Sequence, residues 1–248
     1  MSNASEENMV IHGLSKLTLL DYPEHLACTV FTGSCNFRCP YCHNASLVLE
    51  PHKCPIIPEE EFFTFLNSRK GKLEGVCITG GEPTLQKDLP EFIEKIRSLG
   101  FLVKLDSNGY KPEVLKDLLN AGLIDMIAMD IKNSPEKYAV TTGVPEDAFN
   151  IDLIGQSIEL IKKSGIRHEF RTTVVRELHT GSDLVSIAKW LEGDSPYYLQ
   201  SYKESEDTIF KFGSGLGPFT GYTEIELQRH LGAVRKFMPN AHIRGDEG

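Results

Sequence analysis

Three cysteines lie close together near the start of the sequence. Cys35, Cys39 and Cys42 are spaced C-x3-C-x2-C within the stretch CNFRCPYCHN. Three thiolates on one short loop can each bind one iron of a cubane cluster and leave the fourth iron open. A zinc site is the alternative, but zinc usually takes a fourth protein ligand, and no second C-x2-C is present. The residues that could supply that ligand are Cys54, Cys77 and His43. The spacing favours a cluster over zinc.

The composition limits the class of protein. The chain has 248 residues, a net charge of −9 and 40% hydrophobic residues, which suits one globular α/β barrel. The excess of acidic over basic residues argues against a nucleic-acid partner. Because the chain shows neither a secretory signal nor an apolar run of about 20 residues, we expect a cytoplasmic protein with no membrane partner. We expect a disordered tail over residues 1–9 and a single domain over residues 10–248.

Alternating strands and helices must position the cysteine loop. Short β-branched runs alternate with segments whose apolar residues recur at helical spacing. The predicted strands are 27–32, 75–79, 102–106, 125–130, 168–175 and 197–201. The predicted helices are 59–69, 89–99, 112–121, 151–164, 182–191 and 224–237. Six βα units indicate a parallel sheet, either doubly wound or a partial barrel. Cys28 and Cys77 lie within strands and are expected to be buried.

Polar residues lie at the ends of five successive predicted strands. These are the stretches GGEP (80–83), DSNG (106–109), DIK (130–132) and RTT (171–173), and Gln200. Ligands bind at the carboxyl ends of strands in barrels and doubly wound sheets alike. Buried polar groups are costly unless they face a ligand, water or one another. The pattern therefore predicts an active site at this edge of the sheet.

The cysteine loop resembles that of the radical S-adenosylmethionine superfamily, in which the same loop follows the first strand of a partial (βα)6 barrel. The aromatic residue that precedes the third cysteine in that family is Tyr41 here. The resemblance implies a 4Fe–4S cluster on Cys35, Cys39 and Cys42, with the open iron chelated by S-adenosylmethionine. The residues that match the motif receiving the cofactor's amino group are Gly80, Gly81 and Glu82.

Two further motifs resemble those of the glycyl-radical-enzyme activases, namely LDSNG (105–109) and MDIK (129–132). The resemblance implies that Asp106 and Asp130 hold a monovalent cation beside the cofactor's carboxylate, and that Lys132 pairs with this carboxylate. Anionic oxygens suit a hard cation, and lysine offers a point charge. Ser107 and Arg171 are also expected to bind the cofactor. The alternative is that the aspartates are solvated loop acids and the lysine is a surface cation.

Other stretches are most similar to one activase subgroup, the activating proteins of anaerobic ribonucleoside-triphosphate reductase. They are LTLLDYP (17–23), TVFTG (29–33) and RTTVV (171–175). The resemblance implies an oxidoreductase that takes one electron from flavodoxin or ferredoxin. It would cleave S-adenosylmethionine to methionine and a 5′-deoxyadenosyl radical, which removes an α-hydrogen from a glycine of the partner enzyme. A radical enzyme acting on a small molecule, such as a deazapurine synthase, and a zinc-binding structural domain stay open as alternatives.

The stretch 201–220 is long for a loop in a compact domain, which predicts a lid or a partner-contact element. Its glycines, in GSGLG (213–217), lack the spacing of a phosphate-binding loop. His179 is interpreted as a residue just ahead of a helix start, and Trp190 as a core residue. Cys54 has no assigned role.

Overall fold

One sheet organises the molecule. The computed structural model describes residues 9–213 and 216–245, and within these ranges the sheet has eight strands. They are β1 (Ile11–Thr18), β2 (Ala27–Thr32), β3 (Gly75–Gly80), β4 (Leu102–Ser107), β5 (Met126–Asp130), β6 (Arg167–Val174), β7 (Tyr197–Ser201) and β8 (Ala241–Arg244). Their spatial order equals their chain order. The β1–β2 pair is antiparallel, and every later neighbouring pair is parallel.

This strand order decides between the two predicted architectures. A doubly wound sheet needs a point at which the strand order reverses, and no reversal occurs among the described strands. Right-handed crossovers between successive parallel strands place their helices on one face of the sheet. The protein is therefore an α/β fold with a singly wound parallel sheet, as in a partial barrel.

Eight α-helices connect the strands within the described residues, and the longer ones pack against the main apolar core. They are α1 (Ala45–Leu49), α2 (Glu59–Ser68), α3 (Leu89–Ser98), α4 (Pro112–Asn120), α5 (Tyr138–Thr142), α6 (Ile151–Lys163), α7 (Gly181–Leu191) and α8 (Glu224–Val234). α7 and α8 each begin at a capping box, formed by Thr180 with Asp183 and by Thr223 with Glu226. Across residues 9–213 and 216–245, no helix has the length and apolar character needed to span a membrane.

The six predicted strands and six predicted helices are all present, with ends that differ by up to three residues. The prediction of six strands was nevertheless too low, because β1 and β8 extend the sheet at its two edges. β1 is mostly half-buried, and β8 has only four residues, so neither carries a strong periodic pattern. Met9 was predicted to belong to a disordered tail, but it is buried and its amide donates to Glu59 Oε2 at 3.2 Å. Residues 1–8 lie outside the described residues.

The two faces of the sheet differ in chemistry, and β4 shows the difference clearly. Successive side chains of a strand point to opposite faces. Val103 and Leu105 are buried in the main apolar core, against the helices. Lys104 and Asp106 alternate with them, and they form an ion pair on the inner face. The inner face therefore carries charges that the apolar core does not.

Candidate active site

The cysteine loop follows β2 and faces the inside of the sheet. Cys39 is buried, Cys35 and Cys42 are half-buried, and all three line one cavity. The Cys42 amide donates to the Cys39 carbonyl at 3.0 Å, which gives the loop a tight turn. Burial raises the pKa of the Cys35 thiol to about 11, with a further contribution from the Glu82 carboxylate. Burial also raises the pKa values of Cys39 and Cys42.

These thiols fit the implied cluster by their chemistry. Three free thiols on one loop, lining a common cavity, can each ligate one iron of a 4Fe–4S cluster, which leaves the fourth iron without a protein ligand. Among the residues that the structure describes, no three His, Cys, Asp or Glu side chains are already drawn together as a metal site. Because the bound form of each ligand is a thiolate, binding a cluster would release the thiol protons.

An amide pair that the sequence did not reveal lies against Cys35. Asn108 Nδ2 donates to Asn36 Oδ1 at 2.8 Å and lies 3.7 Å from Cys35 Sγ. The Phe37 amide donates to the same sulfur at 3.3 Å. Asn36 Nδ2 is buried without a hydrogen-bond partner in the described structure. Donors around a sulfur favour its thiolate and tune a bound cluster. The only sequence signal was the position of Asn108 in the LDSNG motif.

The two glycines of the GGEP motif allow close contact with the cysteine loop. Gly80 has φ of 118°, and a Cβ at Gly81 would lie 1.8 Å from the Ser34 carbonyl oxygen. The Glu82 amide donates to that same oxygen at 2.8 Å. At the far end of the loop, Asn44 Nδ2 donates to the Gly80 carbonyl at 2.7 Å. Glycine is required here because the two backbones touch, which is a structural role in addition to the predicted cofactor contact.

Glu82 is a buried carboxylate that accepts several hydrogen bonds. Its Oε1 accepts from the Thr84 amide at 3.1 Å and from Ser107 Oγ at 2.8 Å, and its Oε2 accepts from the Asn108 amide at 2.7 Å. Burial raises its pKa, and these hydrogen bonds offset only part of that rise. Glu82 and Ser107 were both predicted to bind the cofactor. In the structure they bond to each other and join the ends of β3 and β4, so their contact with a cofactor stays a prediction.

The predicted cation ligands belong to a chain of ion pairs. Arg171 Nε donates to Asp130 Oδ1 at 2.9 Å, and Arg171 Nη1 donates to Asp106 Oδ2 at 3.1 Å. Lys132 Nζ donates to Asp130 Oδ2 at 3.0 Å, and Lys104 pairs with Asp106. Burial alone would raise the pKa of Asp130, but Arg171 and Lys132 together hold it far below its usual value. The two aspartates are thus not isolated solvated acids.

The predicted monovalent cation stays a prediction, and the two aspartates have side-chain partners of their own. The Arg171 guanidinium joins Asp106 to Asp130, so a side-chain cation already lies between the two carboxylates. Lys132 was expected to pair with the cofactor's carboxylate, but its partner in the structure is Asp130. Burial lowers the pKa of Lys132, and the Asp130 charge more than reverses that effect. Lys132 therefore stays charged and can still face an anionic group in the cavity.

His179 forms a hydrogen bond to the backbone of Lys132. The sequence did not predict this contact. The His179 side chain is fully buried, and burial lowers its pKa. His179 Nδ1 accepts from the Val175 amide at 3.1 Å, so Nε2 carries the proton and donates to the Lys132 carbonyl at 2.8 Å. A neutral histidine thereby fixes the backbone of the DIK motif.

One cavity brings together every predicted site residue except Arg171. The predicted residues that line it are Cys35, Cys39, Tyr41, Cys42, Gly80, Gly81, Glu82, Asp106, Ser107, Asp130 and Lys132. Arg171 binds two of the lining aspartates. Trp190, predicted in the core, is half-buried and meets Tyr138 edge-on at 6.0 Å. Cys28 and Cys77 are buried, as expected for strand residues, and Cys54 is half-buried.

Sequence comparisons find a matching family and named relatives. The model of the Radical SAM superfamily matches residues 29–191. A protein of Methanocaldococcus jannaschii, provisionally named a glycyl-radical enzyme activating enzyme, is 35% identical over 96% of this chain and 97% of its own length. A GTP 3′,8-cyclase of Helicobacter pylori is 31% identical over 64% of this chain, which spans half of that protein.

Comparisons of structure agree with the fold. A radical SAM methyltransferase from Sphaerobacter thermophilus superposes with a TM-score of 0.70 at 14% identity, over 92% of this chain and 68% of its own. SuiB of Streptococcus suis, bound to S-adenosylmethionine, superposes with a TM-score of 0.65 at 14% identity. That match covers 87% of this chain, which spans about half of SuiB. At this level of identity the likeness shows a shared fold.

Proposed function

This chain belongs to the radical S-adenosylmethionine superfamily, and on that premise we propose that it generates a glycyl radical on a partner enzyme. Its cofactors are those of the family, a 4Fe–4S cluster and S-adenosylmethionine, which excludes the zinc-binding structural domain considered above. The observation that carries the proposal is the 35% identity to the M. jannaschii protein provisionally named an activating enzyme, because it extends over nearly the whole of both chains.

The cavity offers suitable groups for both cofactors. When bound, they supply an electron and a cofactor-derived radical that removes a hydrogen atom from the substrate. Cys35, Cys39 and Cys42 would hold the cluster, since they are the thiols that line the cavity. The same wall carries Tyr41, whose ring is buried and meets Tyr202 and Phe219 edge-on, as a backing for the cofactor's adenine. Burial of these groups would exclude water from a reactive radical.

The charges of the cavity suit a zwitterion. Glu82 and the Asp106–Asp130 pair present carboxylates, whereas Lys132 presents an ammonium group to the same space. The amino-acid end of S-adenosylmethionine carries one charge of each sign, so an acidic and a basic partner would orient it. Arg171 would act indirectly, because its ion pairs hold Asp106 and Asp130 in place.

We assign the partner as anaerobic ribonucleoside-triphosphate reductase, and the electron donor as a flavodoxin or ferredoxin, all in the cytoplasm. The support is the similarity of the stretches LTLLDYP and RTTVV to that activase subgroup. The test mixes the anaerobically reconstituted and reduced protein with S-adenosylmethionine and a candidate reductase. We expect a glycyl-radical doublet in the electron paramagnetic resonance spectrum, absent with Cys39→Ala. Cofactor cleavage without that doublet would reject this partner.

A second candidate is radical chemistry on a purine nucleotide. The observation that favours it is the 31% identity to GTP 3′,8-cyclase, although this likeness covers 64% of the chain. The same reduced protein should then consume GTP as it cleaves S-adenosylmethionine. GTP that is recovered unchanged, by chromatography, would exclude this candidate.

A further inference from the structure

The long stretch between β7 and α8 contacts the cysteine loop. Its part 202–213, here called the cap segment, crosses the back of the cysteine loop. The Phe210 amide donates to the Pro40 carbonyl at 2.9 Å, and the Ile209 amide donates to the Cys42 carbonyl at 3.2 Å. The segment therefore forms hydrogen bonds to the backbone of Cys42 and to that of Pro40, the residue after Cys39.

Asp207 of the cap segment caps a helix that belongs to the cysteine loop. Helix α1 begins at Ala45, three residues after Cys42. Asp207 Oδ1 accepts from the Ser46 amide at 3.0 Å and from Ser46 Oγ at 2.7 Å, although 161 positions separate the two residues. The Asp207 carbonyl accepts from the Ala45 amide at 3.3 Å. These are the amides that a helix start leaves without partners.

The residue that would normally cap α1 is occupied elsewhere. Asn44 stands at the N-cap position but makes no capping bond with its side chain. Its amide group donates instead to the Gly80 carbonyl at 2.7 Å. A five-residue helix is too short to be stable by itself, so α1 depends on the cap that Asp207 supplies.

Apolar packing adds to these bonds. Ile209 is buried in a small cluster with Ala45 and Val48 of α1, separate from the main core. Cys35 and Cys42 are half-buried against this same cluster. The cap segment thus contacts the cysteine loop through hydrogen bonds to its backbone and through a shared apolar cluster.

We propose that Asp207 is a positioning residue, which clamps the cysteine loop through α1 and thereby slows the loss of the cluster. The proposal rests on the assignment of the cluster to Cys35, Cys39 and Cys42. The clamp keeps the loop closed over its metal, and removing it raises the fraction of time that the loop is open. An N-cap substitution typically changes such an equilibrium by roughly fivefold.

The experiment follows loss of the reconstituted cluster to an iron chelator under strictly anaerobic conditions, by its visible absorbance. We expect the Asp207→Ala variant to lose its cluster roughly fivefold faster than the wild type. Asp207→Asn keeps an oxygen acceptor and should restore the wild-type rate. The matched control is Glu206→Ala, because the Glu206 side chain is 99% exposed and makes only a surface ion pair with Lys211. The thermal midpoint of the cluster-free protein should change little, which separates a local clamp from general stability.

A milder variant guards against poor folding of Asp207→Ala. Ser46→Ala removes the hydroxyl donor but keeps the amide, so its rate of cluster loss should lie between those of wild type and Asp207→Ala. Rates equal to wild type in both variants would overturn the clamp while leaving the function intact. A wild-type protein that takes up no iron and sulfide would instead overturn the cluster assignment and the proposed function together.

Discussion

The two walls of the cavity are held in place by different forces. The cysteine-loop wall depends on contacts with polypeptide backbone: the close approach of Gly81 to Ser34, the hydrogen bond from the Asn44 side chain to the Gly80 carbonyl, and the bonds from the cap segment. The opposite wall, at the ends of β4, β5 and β6, depends on the ion pairs of Arg171 with Asp106 and Asp130. A loop without regular structure must be tied at several points, whereas strand residues are already placed by the sheet and need only charge balance.

The largest expected effect is on the loop wall. Cys39→Ala removes the most buried of the three thiols and should abolish cluster binding, measured as iron and sulfide per chain. The fold should persist, because the backbone ties of the loop do not involve this sulfur. A circular dichroism spectrum of an unfolded chain would show that the loop wall depends on its thiols and not on its backbone contacts.

The next effect is on the charged wall. Arg171→Met leaves Asp106 and Asp130 with one lysine partner each, so we expect a loss of about 3 kcal/mol of unfolding free energy, the low end of the range for breaking a buried pair. Arg176→Met is the matched control, because Arg176 pairs with Glu226 at the surface, where such a pair contributes about 1 kcal/mol or less. Urea unfolding measures the loss of unfolding free energy in both variants. Similar losses in the two variants would mean that the inner ion pairs do not hold this wall.

A smaller effect should follow from one added methyl group on the loop wall. Gly81→Ala forces a carbon against the Ser34 carbonyl, and overpacking of this kind costs roughly 1–3 kcal/mol. Gly155→Ala is the control, since nothing lies within 4 Å of its added carbon and alanine favours a helix. The unfolding free energy should fall in the first variant only. Equal stability of both would contradict the close contact between the GGEP turn and the loop.

The smallest effect concerns the amide that links the two walls. Asn108→Ala removes the donor beside Cys35 Sγ and should lower the reduction potential of the cluster, because hydrogen bonds to sulfur favour the reduced form. Tyr110→Phe serves as the control, since its hydroxyl bonds to the Asn150 amide. Potentiometric titration measures the reduction potential of the cluster in each variant. An unaltered or higher reduction potential in the alanine variant would show that Asn108 does not raise the potential of the cluster.

Much of this fold was predictable, because its central strands and amphipathic helices carry strong periodic patterns. β3 and β5 are apolar runs, and α3 and α6 each show one apolar face. The edge strands β1 and β8 were missed for a physical reason. An edge strand packs against fewer neighbours, so its sequence needs less of the regular apolar pattern by which a strand is identified.

The sequence alone determined most of the residues that gather at the site. The cysteine spacing and the polar strand ends predicted the lining of one cavity, because residues at the carboxyl ends of parallel strands must meet at one edge. Only the tertiary structure decided their partners. Arg171 joins two aspartates, His179 holds the Lys132 backbone, and Asp207 caps α1 from a distant segment. Such contacts depend on distances across the fold, which local patterns do not encode.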